Sequence, residues 1–245
     1  MKKSTNHFPN GKWTFDSAVT DCFTDMLLRS IPLWNDSILM CEAFASQHLQ
    51  DGDTIVDVGC SRGTALHKLA KQLKKTGFKD LKFIGLDNSP PMLQDALQYN
   101  SDFPKGYTVE YVEQDLREGL PSEIKTMKPK MILSLWTAQF IPLEKRGKLI
   151  NDCCQALAGD GVFMYSEKLR GQTSHHEEAM RKAYHNWKHQ MGYSWESIKT
   201  KAESLEGVLV SLSAPEVKQM LMAEGFSPEE VGRYYQFALY YCVKK

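Results

Sequence analysis

The stretch DTIVDVGCSRGTALHKLAKQL, Asp53 to Leu73, places an aspartate and two glycines at D-x-G-x-x-x-G spacing: Asp57, Gly59 and Gly63. Glycines there let the backbone approach a ligand, and a helix starting near Thr64 aims its free N–H groups and positive dipole end at the same point. The chemistry suited to such a turn is reception of an anionic or carbonyl-like group. A dinucleotide fingerprint would read G-x-G-x-x-G, but position 61 is Ser, which disfavours a nicotinamide cofactor. Two further carboxylates end later apolar runs. Asp87 in FIGLDNSP comes about 30 residues after Asp57, the place of a ribose-binding carboxylate after one βα unit, and Asp115 follows in VEQDL. Singly, Asp57 reads as a turn or cap residue, Asp87 as a helix N-cap and Asp115 as a turn aspartate. Jointly, at the C-terminal ends of three consecutive expected strands, they point to a nucleoside-type cofactor.

The run Asp57-Val58-Gly59-Cys60-Ser61-Arg62-Gly63, with Asp87 and Asp115 in strand order behind it, resembles motif I and its downstream acidic positions in class I S-adenosylmethionine-dependent methyltransferases. The resemblance implies a doubly wound, Rossmann-like seven-stranded α/β sheet, with N-terminal helices and a helical insertion after strand 5. It also implies S-adenosyl-L-methionine as cofactor and S-adenosyl-L-homocysteine as product. On it, Asp57, Gly59, Cys60, Ser61, Arg62 and Gly63 cradle the amino-acid end, Asp87 and Asn88 the ribose, and Asp115 and Leu116 the adenine, with Trp34 closing from the N-terminal helices.

A narrower similarity, to the carboxy-S-adenosylmethionine synthase family, covers most of the chain. It rests on WTFD (Trp13 to Asp16), RSIP (Arg29 to Pro32), LDNSPPML, TAQFIP (Thr137 to Pro142), SEK (Ser166 to Lys168) and GYS (Gly192 to Ser194). The chain departs from that family where it would grip a carboxylate: an arginine after GYS becomes Ala202, a tyrosine after RSIP becomes Trp34, and an asparagine near the fourth strand end becomes Leu135. A carboxylate in a partly dry pocket wants a fork-like cation, and Lys199 or Lys201 offers only a point charge. The expectation is therefore methyl transfer to an unidentified small-molecule acceptor. Its rivals are carboxy transfer from prephenate to the cofactor, with a displaced lysine, and a non-catalytic binder of the cofactor or its product.

Methyl transfer asks the protein to align nucleophile, carbon and leaving sulfur, so no metal is expected. A base is needed only if the acceptor must lose a proton. Candidates at the carboxyl edge of the sheet are Trp136 and Gln139 after the fourth strand, Glu167 after the fifth, and Tyr184, His185 and Trp187 from the insertion; Trp136, Glu167, Tyr184 and His185 are taken as catalytic. The plainer readings are core packing for the tryptophans, a cap for Glu167, a solvated side chain for Arg62 and a small wall residue for Cys60. His185 and His189 share a helix face at i, i+4, but without HExxH or a carboxylate at ligand spacing.

These residues need a parallel sheet to bring them together, and the chain alternates accordingly. Strand-length apolar runs at Thr54 to Gly59, Leu81 to Asp87, Thr108 to Asp115, Lys130 to Trp136 and Gly161 to Glu167 are separated by patterns of helical period, such as Leu66, Leu69, Ala70 and Leu73. Right-handed crossovers then put the strands' C-terminal ends along one ligand-binding edge. Residues 14–48 predict two amphipathic helices broken at Ile31-Pro32, residues 173–205 one or two polar helices, Pro215 to Ala223 a helix, and Val231 to Lys245 a late edge strand or hairpin. One methyltransferase domain is expected over 1–245: a helical lid at 1–50, a cofactor core at 51–170, an insertion at 171–210 and a C-terminal part at 211–245.

Thirty basic and thirty acidic side chains cancel over 245 residues, so no global field favours nucleic acid or an anionic membrane. The lysines at 71, 74, 75, 79 and 82 read as a solvated helix face at least as well as an RNA patch. Six cysteines without framework spacing fit reduced thiols, and no window approaches the ~18 apolar residues of a membrane span. A soluble, unprocessed cytoplasmic protein is expected, and the family resemblance adds a homodimer.

Overall fold

The computed structural model describes residues 11–99 and 101–245, so the reading of the N-terminal MKKSTNHFPN lies outside the described residues. The strands are β1 Thr54–Val58, β2 Lys82–Asp87, β3 Thr108–Glu113, β4 Met131–Leu135, β5 Val162–Lys168, β6 Phe226–Tyr234 and β7 Phe237–Lys244. They form one sheet in the order β3-β2-β1-β4-β5-β7-β6. The first five are parallel, and β7 pairs antiparallel with both β5 and β6.

Helices cover both faces, which is why the inner strands read as continuous apolar runs rather than alternating ones. Val56, Val58, Ile84, Leu86 and Ile132 point to one face, against Ile124 of α5 (Ser122–Met127), Leu149, Ile150 and Cys153 of α6 (Leu143–Ala156) and Val217 and Leu221 of α9 (Ala214–Ala223). Ile55, Phe83, Met131 and Leu133 point to the other, against Ile38, Cys41 and Ala45 of α2 (Trp34–His48) and Leu66, Leu69 and Leu73 of α3 (Thr64–Lys75). Helix α4 (Pro90–Tyr99) starts at the prolines, where a missing N–H costs little.

Helix α1 (Ser17–Ser30) starts where Asp16 accepts the Val19 N–H at 3.0 Å and stops before Pro32; Leu33, at φ 60°, turns the chain into α2. The insertion is α7 (Ser174–Gln190) and α8 (Trp195–Ser204). The C-terminal segment is a hairpin, but β7 lies inside the sheet and β6 at its edge. Strand β6 begins at Phe226, earlier than alternation suggested, because its FSPEEV start is an edge sequence; an edge strand tolerates Pro228. Among the described residues no helix is long and apolar enough to cross a membrane.

Candidate functional site

The strand order reverses between β1 and β4, so the loops leaving their C-terminal ends diverge and open a crevice. A cavity of about 700 Å³ occupies it, roofed by α1, α2, α7, α8 and the segment Trp13–Phe15. That segment is tied down at both ends: the Trp13 N–H donates to the Ser204 carbonyl at 2.9 Å, and the Ser89 hydroxyl donates to the Phe15 carbonyl at 2.6 Å.

At one end stand two carboxyl groups. Asp57, the last inward polar residue of β1, is buried, and burial, then the neighbouring Asp87, pushes its carboxyl up to about 8. Asp87 accepts the Ser61 N–H at 2.8 Å and the Ser89 N–H at 2.9 Å; burial raises it and these bonds pull it back. The turn between them is closed by the Gly59 and Cys60 N–H groups donating to the Leu86 carbonyl at 2.8 and 3.0 Å. Gly59 has φ +85°, and a Cβ there would collide with Thr137, which follows β4. The close approach that demands glycine is therefore to a side chain of the next strand's loop.

Of the expected cofactor residues, Asp57, Gly59, Cys60, Ser61, Asp87, Asn88, Leu116 and Trp34 border the cavity. Three do not. Arg62 points away to Asp95 at 2.5 Å and lies over the Tyr99 ring at 4.5 Å. Gly63 is the N-cap of α3 at φ 72°. Asp115 caps the turn Leu116–Glu118 and holds the Arg117 guanidinium at 2.5 Å, which keeps its carboxyl below the usual range, so that Leu116 and Arg117 supply the wall beside it. Burial raises the Cys60 thiol well above its ordinary value, as a wall residue rather than a thiolate.

Among the expected catalytic residues, Trp136 and Tyr184 border the cavity. Trp136 sits at φ +58°, its N–H bonded to Ser166 and its indole N–H buried without a protein partner. Tyr184 donates its hydroxyl to the Ser30 carbonyl at 2.7 Å. Glu167 and His185 lie behind the wall. Glu167 is wholly buried, accepts the Tyr165 hydroxyl at 2.6 Å and faces Arg146 at 3.6 Å; burial brings its carboxyl to about 7. His185 leans on Tyr184, and burial, then Lys188, lowers it to about 4. His189 is engaged by the Tyr193 carbonyl at 2.8 Å and stacked on Trp195.

Thr137, Arg117, Ser30 and Lys168, none of them expected from the sequence, complete the walls together with Lys201, one of the two lysines offered there as a point charge. Lys168 closes β5, and Lys201 projects from α8 with its ammonium over the Trp13 ring at 4.7 Å. Its neighbour Ala202 is exposed. The signals were present in SEK and KTK, but a lysine on a polar helix carries no mark of which way it points.

The cavity fits a nucleoside-sulfonium ligand: its volume is in the usual range for such ligands, the buried Asp57 and half-buried Asp87 carboxyls wait at one end, and the Trp136 indole N–H has no protein partner. Asp87 and Asn88 suit a vicinal diol, Leu116 and Arg117 the base, and Asp57 with the Gly59–Ser61 turn the amino-acid end.

Comparison with known proteins agrees. The methyltransferase-domain family matches residues 55–161. Carboxy-S-adenosyl-L-methionine synthase of Nautilia profundicola is 35% identical over 95% of this chain and 95% of its own length. That of Sulfurimonas denitrificans is 33% identical with the same coverage. Among solved structures, magnesium protoporphyrin IX methyltransferase from Synechocystis with bound SAH has TM-score 0.57 at 16% identity, covering 97% of this chain and 91% of that one. Human N-acetylserotonin methyltransferase in complex with SAM has TM-score 0.60 at 12% identity, covering 93% and 55%. The chain thus belongs to the carboxy-S-adenosyl-L-methionine synthase family, and is an S-adenosylmethionine-dependent transferase on the class I methyltransferase fold.

Proposed function

We propose that this enzyme transfers the methyl group of S-adenosylmethionine to a small anionic acceptor held at the lysine end of the cavity. The observation that carries this is the charge layout. Asp57 and Asp87 stand at one end, while Lys168 and Lys201 border the other, with Lys188 and Arg29 behind them. When bound, the cofactor supplies a carbon already activated by a sulfonium leaving group. The protein's part is alignment and exclusion of water. The carboxyl end holds the cationic amino-acid portion and the sheet edge fixes the nucleoside. Trp13, Phe15 and Trp34 shut the cavity from the N-terminal side, and the lysines draw an anion to the remaining space.

A second reading, carboxy transfer to the cofactor, is favoured by the named relatives and by Lys201, which brings a basic side chain into the cavity one residue from Ala202. One experiment separates the two. The nucleoside that copurifies is weighed, and the protein is then incubated with methyl-labelled S-adenosylmethionine, with and without prephenate and a panel of small carboxylic acids. Demethylated product with label on an acid, abolished by Asp87→Ala, supports methyl transfer. A nucleoside heavier by one carboxylate supports the second reading, and binding without any transfer refutes both.

A further inference from the structure

Four cations from four elements converge on one small polar hub at the end of the cavity. The hub is Ser30, whose hydroxyl meets the Tyr193 hydroxyl at 3.1 Å and whose carbonyl accepts from the Tyr184 hydroxyl at 2.7 Å. Arg29 of α1 lies over the Tyr193 ring at 4.2 Å, Lys168 of β5 over Tyr184 at 5.0 Å, and Lys188 of α7 over Tyr193 at 5.1 Å. Lys201 of α8 approaches the Ser30 hydroxyl at 3.5 Å. Asp25 is committed to Arg29 at 2.8 Å. Among the described residues no carboxylate lies within ion-pair distance of Lys168, Lys188 or Lys201; Glu177 acts on Lys168 only at longer range.

Cations gathered in a poorly hydrated place cannot all keep their protons. Lys201 is enclosed by the other three, with the Cys22 thiol the one group acting the other way, and burial followed by repulsion from Lys188 drives its ammonium well below the ordinary lysine value. Lys188 comes down to about 8 by burial, then Lys168 and Arg29. A lysine made neutral by desolvation and neighbouring cations is an amine with a free lone pair, the activated form that attacks carbonyl carbon. The cations left around it suit a carboxylate on the same ligand.

We infer that Lys201 is a nucleophilic amine that condenses reversibly with the aldehyde or ketone carbonyl of a small carboxylate-bearing ligand seated between Lys168 and Trp13. The Lys201 nitrogen forms a bond to the carbonyl carbon, and the carbonyl oxygen takes up the proton the amine loses. The resulting carbinolamine expels water, leaving an imine; one carbonyl and one amine give one imine and one water, with no change of oxidation state. The imine nitrogen takes a proton from solvent and restores the positive charge beside the hub. This deepens the transferase reading and rests on the same cavity, in which the acceptor is held by a bond as well as by charge.

The test uses the full-length protein with S-adenosylmethionine present, labelled pyruvate as the carbonyl probe and cyanoborohydride to trap the imine, followed by peptide mass mapping at several pH values. At neutral pH an exposed lysine is only about 0.04% neutral, so Lys201 is expected to label roughly tenfold or more faster than exposed lysines such as Lys199. Lys201→Arg, whose guanidinium cannot form an imine, loses the adduct while S-adenosylmethionine binding and melting temperature report that it has folded. Lys188→Met moves the labelling profile of Lys201 to higher pH, which a packing role would not do. Labelling of Lys201 no faster than of exposed lysines, or an unmoved profile in Lys188→Met, overturns the inference. If label passes from the cofactor to an acid without any adduct, the covalent step fails and the transferase reading stands. An adduct without transfer has the opposite meaning.

Discussion

Arg146 and Glu167 face each other at 3.6 Å with no solvent exposure on either side chain, beneath the cavity floor. The guanidinium also donates to the carbonyls of Ile141 at 2.9 Å, Gln139 at 3.1 Å and Val210 at 2.7 Å. It thereby pins the loop after β4 and the segment before α9, while Gln139 accepts the Lys168 N–H at 2.8 Å and fixes the end of β5. A polar centre buried this deeply holds the cavity wall in one place, and its loss leaves several groups unsatisfied together.

Arg146→Ala is therefore expected to cost about 3–5 kcal/mol, the range for breaking a buried, hydrogen-bonded charge. Chemical denaturation measures it; a loss below about 1 kcal/mol would mean that the loop carbonyls find other donors.

Glu167 gives a pH signature. Its carboxyl is raised from 4.5 to about 7 in the fold, so the native state binds more protons than the unfolded chain between those values. Its contribution is fully present below about pH 4.5 and is lost as pH rises through about 7, a change of order 3 kcal/mol. Comparing wild type with Glu167→Gln, which keeps a partner for the Tyr165 hydroxyl, isolates it: the difference between the two stability curves should slope across pH 4.5–7 and be flat above.

Asp57 gives a second signature, in ligand binding. Burial and Asp87 hold its carboxyl at about 8 in the free protein. A cationic amino-acid group arriving there favours ionisation, so cofactor binding should release a proton near neutral pH. Affinity is expected to rise by up to about tenfold per pH unit below about 8 and to level off above it. Calorimetry in buffers of different ionisation enthalpy counts the proton. Asp57→Asn should abolish both the release and the slope; a slope that survives assigns it to another group.

Much of this was legible in the chain. The strand-end aspartates and the alternation fixed the sheet edge because buried parallel strands and ligand-facing turns leave strong periodic marks. The lysine end left weaker marks: Lys201 reads only as one of two displaced point charges, and Lys168 acquires meaning only from α7 and α8 folding over the sheet. Gly59 was legible as a constraint but for a different partner. Its neighbour is Thr137, in a loop almost eighty residues away, and no local spacing encodes that approach. Asp115 and Glu167 were found at the right strand ends but turned to Arg117 and Arg146, because side-chain direction at a strand's end depends on the loop that follows.

Gly59→Ala tests that close approach. A Cβ would press on Thr137 and the residue would need φ +85°, so a loss of about 2 kcal/mol or more is expected from the two effects together. Adding Thr137→Gly should recover the steric part, giving a coupling of about 1 kcal/mol in a double-mutant cycle. Independent, additive losses would show that the backbone conformation alone demands glycine.

The last test concerns which side of α8 faces the ligand. Successive helical residues are about 100° apart, so Lys201 and Ala202 cannot both face the cavity. Here Lys201 borders it and Ala202 is exposed. Ala202→Arg should therefore leave transfer rates within about twofold and the mass of the copurifying nucleoside unchanged, since a screened surface cation is worth little. Lys168→Met removes a cation from the cavity wall itself and should raise KM for a carboxylic-acid acceptor about 10–100-fold, the effect of losing a charge-assisted contact of about 1.5–3 kcal/mol, with a smaller change in kcat. If Ala202→Arg instead adds a carboxylate to the bound nucleoside, the anion is gripped from the outer side of α8. The carboxy-transfer reading would then displace methyl transfer.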